Sequence, residues 1–125
     1  MITENYIKMC EKAEEIQKEW KKKRYDIITY NKKISRCNDT SYWEIRKDLI
    51  YLPTQEQLQE MIKENYLAEF GMVFKLWNWI DKGIHHGTMN FNIKEITLTE
   101  LWLAFVMHEK WNKFWTGEKW VKGNE

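Results

Sequence analysis

The chain has 125 residues, 43% of them hydrophobic and 31% charged, with 20 Lys plus Arg against 19 Asp plus Glu. That length is one domain's worth of chain, residues 1–125, and can bury a core without staples. A net charge of +1 disfavours the broad basic surface of a nucleic-acid binder, two cysteines are too few for a disulfide scaffold, and no run approaches the roughly 20 apolar residues of a membrane-spanning helix.

The start, Met1-Ile2-Thr3-Glu4-Asn5, lacks the basic opening and apolar stretch of a secretion signal. A cytoplasmic protein with reduced thiols is therefore expected. Residues 3–20 read as one amphipathic helix capped by Thr3. Tyr6, Met9, Cys10, Ala13, Ile16 and Trp20 recur at three- and four-residue steps, which makes one buried stripe. Cys10 lies on that stripe and reads as an inert buried thiol.

Lys21-Lys22-Lys23-Arg24 follows. Cations suit a helix C-terminus, where they meet the negative end of the dipole. The same run, between Trp20 and Tyr25, also reads as a small patch for phosphate or an acidic protein.

Residues 25–52 change character and predict a small sheet. Ile27-Ile28-Thr29-Tyr30 forms a strand, Asn31-Lys32-Lys33 a turn and Ile34 to Cys37 a second strand. Asn38-Asp39-Thr40-Ser41 is a turn cluster, Tyr42-Trp43-Glu44-Ile45 a third strand, and Leu49-Ile50-Tyr51-Leu52 a fourth. Tyr42-Trp43 before Arg46-Lys47 interleaves aromatic and basic residues, a pattern that can stack bases. Trp43, Arg46 and Lys47 thus join Lys21, Lys22, Lys23 and Arg24 as candidate nucleic-acid contacts. The competing reading packs these rings between sheet and helix.

Pro53, the only proline, punctuates a switch to helix over 54–121. Thr54 and Gln57 fit a capping box, and Leu58, Met61 and Ile62 continue the helix to a break near Asn65. Leu67, Phe70, Phe74, Trp77 and Ile80 then predict a buried stripe, with Gly83 as the stop. Met89, Phe91 and Ile93 alternate with polar residues and predict an extended segment within 84–96. Thr97 and Glu100 form a second capping box, opening a helix over about 98–113. Leu101-Trp102-Leu103-Ala104-Phe105-Val106-Met107 is apolar on every face, so this helix is the most buried. Trp115-Thr116-Gly117-Glu118-Lys119-Trp120 predicts a small hairpin or a turn that folds the tail back.

Catalytic and metal signatures are weak. His85, His86 and His108 could gather around a metal, but His108-Glu109 is followed by Asn at position 112, where a zinc-protease helix needs its second His. Glu100, Glu109, Asp81 and Glu95 could supply paired carboxylates, although Glu100 already has a capping role. No nucleophile–base pair, phosphate loop or cofactor motif is present, so neither a catalytic residue, a metal nor a cofactor is assigned. Eight tryptophans are the stronger signal. Trp79 lies off the Phe70–Ile80 stripe, and Trp111 and Trp115 fall on the outer side of the last helix. These three are the candidate partner-binding residues, for a protein partner or for self-association.

Two blocks carry a resemblance. Leu52-Pro53-Thr54-Gln55-Glu56-Gln57-Leu58-Gln59-Glu60-Met61 resembles an LPxQxQLQEM block of small proteins from phages and prophages of Gram-positive bacteria. Residues 101–110 with 115–120 resemble their second block, LWLAFVMxEK followed by WxGExW. Those proteins often open the first strand with Gly-Asp; Tyr25-Asp26 stands there in this chain and is expected to loosen the turn. The family is functionally uncharacterised, so it assigns no site residue. It implies a phage-related accessory protein rather than a capsid component or housekeeping enzyme.

The combined expectation is a single α+β domain: a small antiparallel β-meander packed against a long N-terminal helix and two to three C-terminal helices. Its function is expected to be non-enzymatic binding of a host or phage protein, for example to inhibit a bacterial defence system in the manner of an anti-CRISPR. The alternatives are a nucleic-acid-binding accessory protein and, further off, a small nucleotide-binding protein or enzyme near His85, His86 and His108. A membrane partner is not expected.

Overall fold

The computed structural model describes residues 2–30, 33–37, 49–86 and 95–123, and for 84–86 the backbone alone. They form five α-helices, a three-stranded antiparallel sheet and a two-stranded antiparallel sheet. The chain divides into two compact units, Met1–Thr54 and Gln55–Glu125, at the switch marked by Pro53.

The first unit opens with helix α1 (Glu4–Lys12) and helix α2 (Glu14–Glu19). Thr3 caps α1 as its sequence predicts, its hydroxyl accepting from the Tyr6 amide at 2.9 Å. The single helix expected over 3–20 is broken at Ala13, whose ψ of 74° is not helical. Neither Pro nor Gly causes the break. The Cys10 carbonyl, which would accept from residue 14 in an unbroken helix, takes the Ala13 amide at 3.1 Å and Gln17 Nε2 at 3.0 Å instead. The apolar stripe survives this break: Tyr6, Met9, Cys10, Ala13 and Ile16 are all buried. Burial pushes the Cys10 thiol pKa far up, against a smaller lowering from its contact with Tyr6.

Strand β1 (Ile27–Tyr30) is central in the order β2–β1–β3. On one side it pairs with β2 (Lys33–Arg36) in the register Ile27 to Arg36 through Tyr30 to Lys33. On the other side it pairs with β3 (Ile50–Tyr51) in the register Ile28 to Tyr51 and Thr29 to Ile50. The expected meander is thus corrected among the described residues, because the last strand returns to the free edge of the first. The third predicted strand, 42–45, lies outside the described residues. β1 occupies the centre because Ile28 and Thr29 are both buried, whereas β2 is largely exposed and carries Lys33 and Arg36 on the edge.

In the second unit, helix α3 (Gln55–Ile62) starts directly after Thr54 and runs into a 3-10 turn at Lys63–Asn65, the predicted break. Helix α4 (Glu69–His86) follows, then helix α5 (Leu98–Trp111). α4 does not stop at Gly83. That residue is buried, three positions beyond buried Ile80, on the helix face that also carries Met72 and Leu76. Residues 87–94, and with them the predicted extended segment around Met89, lie outside the described residues.

α5 is the core helix, as expected. Trp102, Leu103, Ala104, Phe105, Val106 and Met107 are all buried. Its capping box is complete: Thr97 Oγ1 accepts from the Glu100 amide at 3.1 Å, and Glu100 Oε1 accepts from the Thr97 amide at 3.2 Å. Asn112 ends the helix in the left-handed region with φ 52°, its amide donating to the carbonyls of His108 and Met107.

The predicted hairpin forms from β4 (Lys113–Trp115) and β5 (Trp120–Lys122). Gly117 takes φ 103° in the connecting loop, a conformation costly for a side chain with a Cβ. The Thr116 hydroxyl accepts from the amides of Glu118 and Lys119 at 3.3 and 3.2 Å, and the Trp115 and Trp120 rings meet at 5.1 Å across the strand pair.

Candidate functional site

α4 carries apolar residues around most of its circumference, and the fold covers only part of it. Met72, Leu76 and Ile80 are buried, and Trp79 turns its ring to Phe105 and His108, each at 5.5 Å between centroids. The stripe expected to be buried, apart from Ile80, instead faces water. Phe70 is 79% exposed, Val73 49%, Phe74 56% and Trp77 63%, and Leu67 just before the helix is fully exposed. Positions 70, 73, 74 and 77 follow the i, i+3, i+4, i+7 rule, so they form one helix face. Phe70 and Phe74 lie stacked at 6.4 Å with planes 22° apart. No charged residue interrupts this row.

This face is unusual because apolar area in water is costly and monomers seldom carry large contiguous patches. Its end is marked by a cavity of about 80 Å³ lined by Lys63, Tyr66, Leu67, Ala68, Glu69 and Met72. Sites for small molecules run from about 300 Å³ upward, so this space suits a single side chain.

A polar cluster anchors the start of α4 to α5. Tyr66 donates its hydroxyl to Glu109 Oε1, Lys75 Nζ lies 3.9 Å from the same oxygen, and His108 Nδ1 lies 3.7 Å from Oε2. Burial and the hydrogen bond to the Glu109 carboxylate push the Tyr66 pKa well up. Glu109 is therefore committed to holding elements together. Glu100, nine residues earlier, is buried as the cap, about two and a half turns away on the opposite side of the helix, so the two do not pair. Among the described residues no group of three or more His, Cys, Asp or Glu side chains is arranged to hold a metal ion.

His108 supplies a pH prediction. Burial lowers its pKa, Glu109 opposing and Lys75 reinforcing the shift. Unfolded His takes up its proton near pH 6.5, before the folded side chain does. The contribution of His108 to stability is thus level above about pH 7 and falls as pH drops through the unfolded value. Thermal melts should show a lower midpoint at about pH 5 than at about pH 7.5, and His108→Gln should shrink that difference. An unaltered difference in the variant would locate the acid sensitivity elsewhere.

The sequence-predicted partner residues fall differently from expectation. Trp115 is buried at 3% exposure, in β4 rather than on the outside of a helix. Trp79 and Trp111 are half-buried, Trp111 lying under the Lys110 ammonium at 4.7 Å from its ring centroid. Among the described residues the exposed tryptophan is Trp77. Periodicity gave the angle between apolar residues on α4 but not which arc its neighbours cover; the signal that could have found the face is the surplus itself, since apolar residues at 70, 72, 73, 74, 76, 77, 79 and 80 exceed one buried stripe.

The candidate nucleic-acid contacts belong to the first unit. Lys21, Lys23 and Arg24 are exposed and Lys22 is half-buried. Lys22 lies over the Trp20 ring at 5.7 Å and Arg24 over Tyr25 at 5.8 Å. The Trp20 ring stacks on Tyr51 at 4.9 Å and 3°, and its Nε1 donates to buried Asp26 at 2.9 Å. That ring is thus engaged within the fold. Trp43, Arg46 and Lys47 lie outside the described residues.

No known family, no curated protein and no solved structure matches this chain. No helix among the described residues is long and apolar enough to cross a membrane.

Proposed function

We propose that the chain is a non-enzymatic interaction protein that docks another polypeptide on the apolar face of α4. The observation that carries this reading is the row Phe70, Val73, Phe74 and Trp77, held outward while the opposite side of the same helix is buried. Helix-borne aromatic rows of this spacing are how amphipathic helices engage protein grooves, and Trp is the residue most enriched at binding hot spots. The resemblance to phage and prophage proteins supports a bacterial host cytoplasm as its setting and a host or phage protein as its partner. Inhibition of a defence system is a role such a surface could perform without chemistry of its own.

The nucleic-acid alternative has less support. Two of its four described cations, Lys22 and Arg24, sit over rings of their own surface, and the net charge is +1.

A photoreactive phenylalanine analogue in place of Trp77 tests the reading in host lysate. Irradiation should yield a nuclease-resistant protein adduct, and the further change Phe70→Ser should lower its yield at least about tenfold, as expected for a hot-spot truncation. Adducts with nucleic acid alone, or no adduct, would refute it.

A further inference from the structure

Resting on the α4 face as a protein-docking surface, we infer that its occupant is a second copy of this chain, bound helix against helix in antiparallel orientation about a two-fold axis near Val73 and Phe74.

Two observations favour a second copy. The first is area. At roughly 150–250 Å² per aromatic side chain, Phe70, Phe74 and Trp77 leave roughly 300–500 Å² in water at their observed exposures. With Leu67 and Val73 each copy contributes roughly 500 Å² or more, and two copies together reach the roughly 1,000 Å² that separates a specific interface from a casual contact. The second is charge. The row holds no ionised group, so it offers nothing for a charged partner to read, and a chain of net charge +1 does not repel its own copy.

A two-fold contact applies the same patch on both partners and closes, which leaves no apolar face over.

Antiparallel orientation sets the two helix dipoles head to tail. It also places Phe70 of each copy level with Trp77 of the other and Val73 level with Phe74. In that register the two Val73 residues lie next to the axis, while the two Asp81 residues lie roughly 20 Å apart along it, at 1.5 Å per residue.

Sedimentation equilibrium of the purified full chain should return twice the 15.5 kDa monomer mass. Phe74→Lys alters an exposed position and should give a folded monomer whose melting midpoint does not depend on protein concentration, whereas that of the wild-type dimer rises with it. Under mild oxidation Val73→Cys should form an inter-chain disulfide and Asp81→Cys should not; Cys10 and Cys37 are buried and do not compete.

A monomeric wild-type chain at all concentrations would overturn the inference. If host-protein adducts still form at Trp77, the docking surface itself stands and only the self-pairing falls; with neither, both fall. A dimer that survives Phe74→Lys, or that cross-links through Asp81→Cys, would equally refute the pairing described.

Discussion

Phe105→Ala should destabilise the Gln55–Glu125 unit by about 3–5 kcal/mol, the range for removing a fully buried ring. Phe105 has no exposed surface and meets Trp102 edge-on at 6.0 Å and Trp79 at 5.5 Å. The loss therefore combines transfer of the ring with two aromatic contacts and the cavity left between them. Cavity collapse is limited because Trp102 is itself buried and Trp79 is held from its other side by His108. Six of the eight tryptophans, those from Trp77 to Trp120, belong to this unit, so denaturant unfolding followed by indole fluorescence reports on it directly. A loss below about 1 kcal/mol would mean that α5 is not the core helix.

α5 was legible in the sequence because its signals are local and mutually consistent. The Thr97–Glu100 box fixes the start, and seven successive apolar residues leave no polar face to place. The hairpin after it is legible for the same reason: Gly117 lies between two aromatic ends that pair across the strands. Legibility fails where a choice depends on distant residues. α4 has more apolar positions than its neighbours cover, and its aromatic content suggests the wrong side: Phe70, Phe74 and Trp77 invite burial, but Met72, Leu76 and Ile80 receive it. Trp115 reads as helix surface by extrapolation past Asn112, where the chain turns through a left-handed residue and the helical count no longer applies. The candidate site was thus visible as an excess of large apolar side chains but not as an address. The return of β3 to β1 is likewise a pairing between segments twenty residues apart, for which turn chemistry gives no register.

The break at Ala13 has the same origin and leads to the second large effect. Gln17→Ala should destabilise the Met1–Thr54 unit by about 2–4 kcal/mol, an effect on the scale of a core truncation from a half-buried polar residue. Its side-chain amide stands where a neighbouring strand would. Oε1 accepts from the Tyr51 amide at 2.9 Å, and Nε2 donates to the Tyr51 carbonyl and the Cys10 carbonyl, both at 3.0 Å. One side chain thus pairs the outer edge of β3 and compensates the carbonyl released by the helix break. Truncation leaves three backbone groups without that partner, at about 1–3 kcal/mol for each that water does not reach. Gln17→Glu is the sharper control. It keeps the acceptor for the Tyr51 amide but replaces the donor with an oxygen facing two carbonyls, so it should rescue little. Native-state hydrogen exchange at the Tyr51 and Ile28 amides reads the effect without interference from the tryptophan-rich unit. Protection should fall by roughly 30- to 1,000-fold in Gln17→Ala, the equivalent of 2–4 kcal/mol. Full rescue by Glu would show that the donor contacts carry little of the stabilisation, and that the break at Ala13 is held by the packing of Cys10 and Ile16 instead.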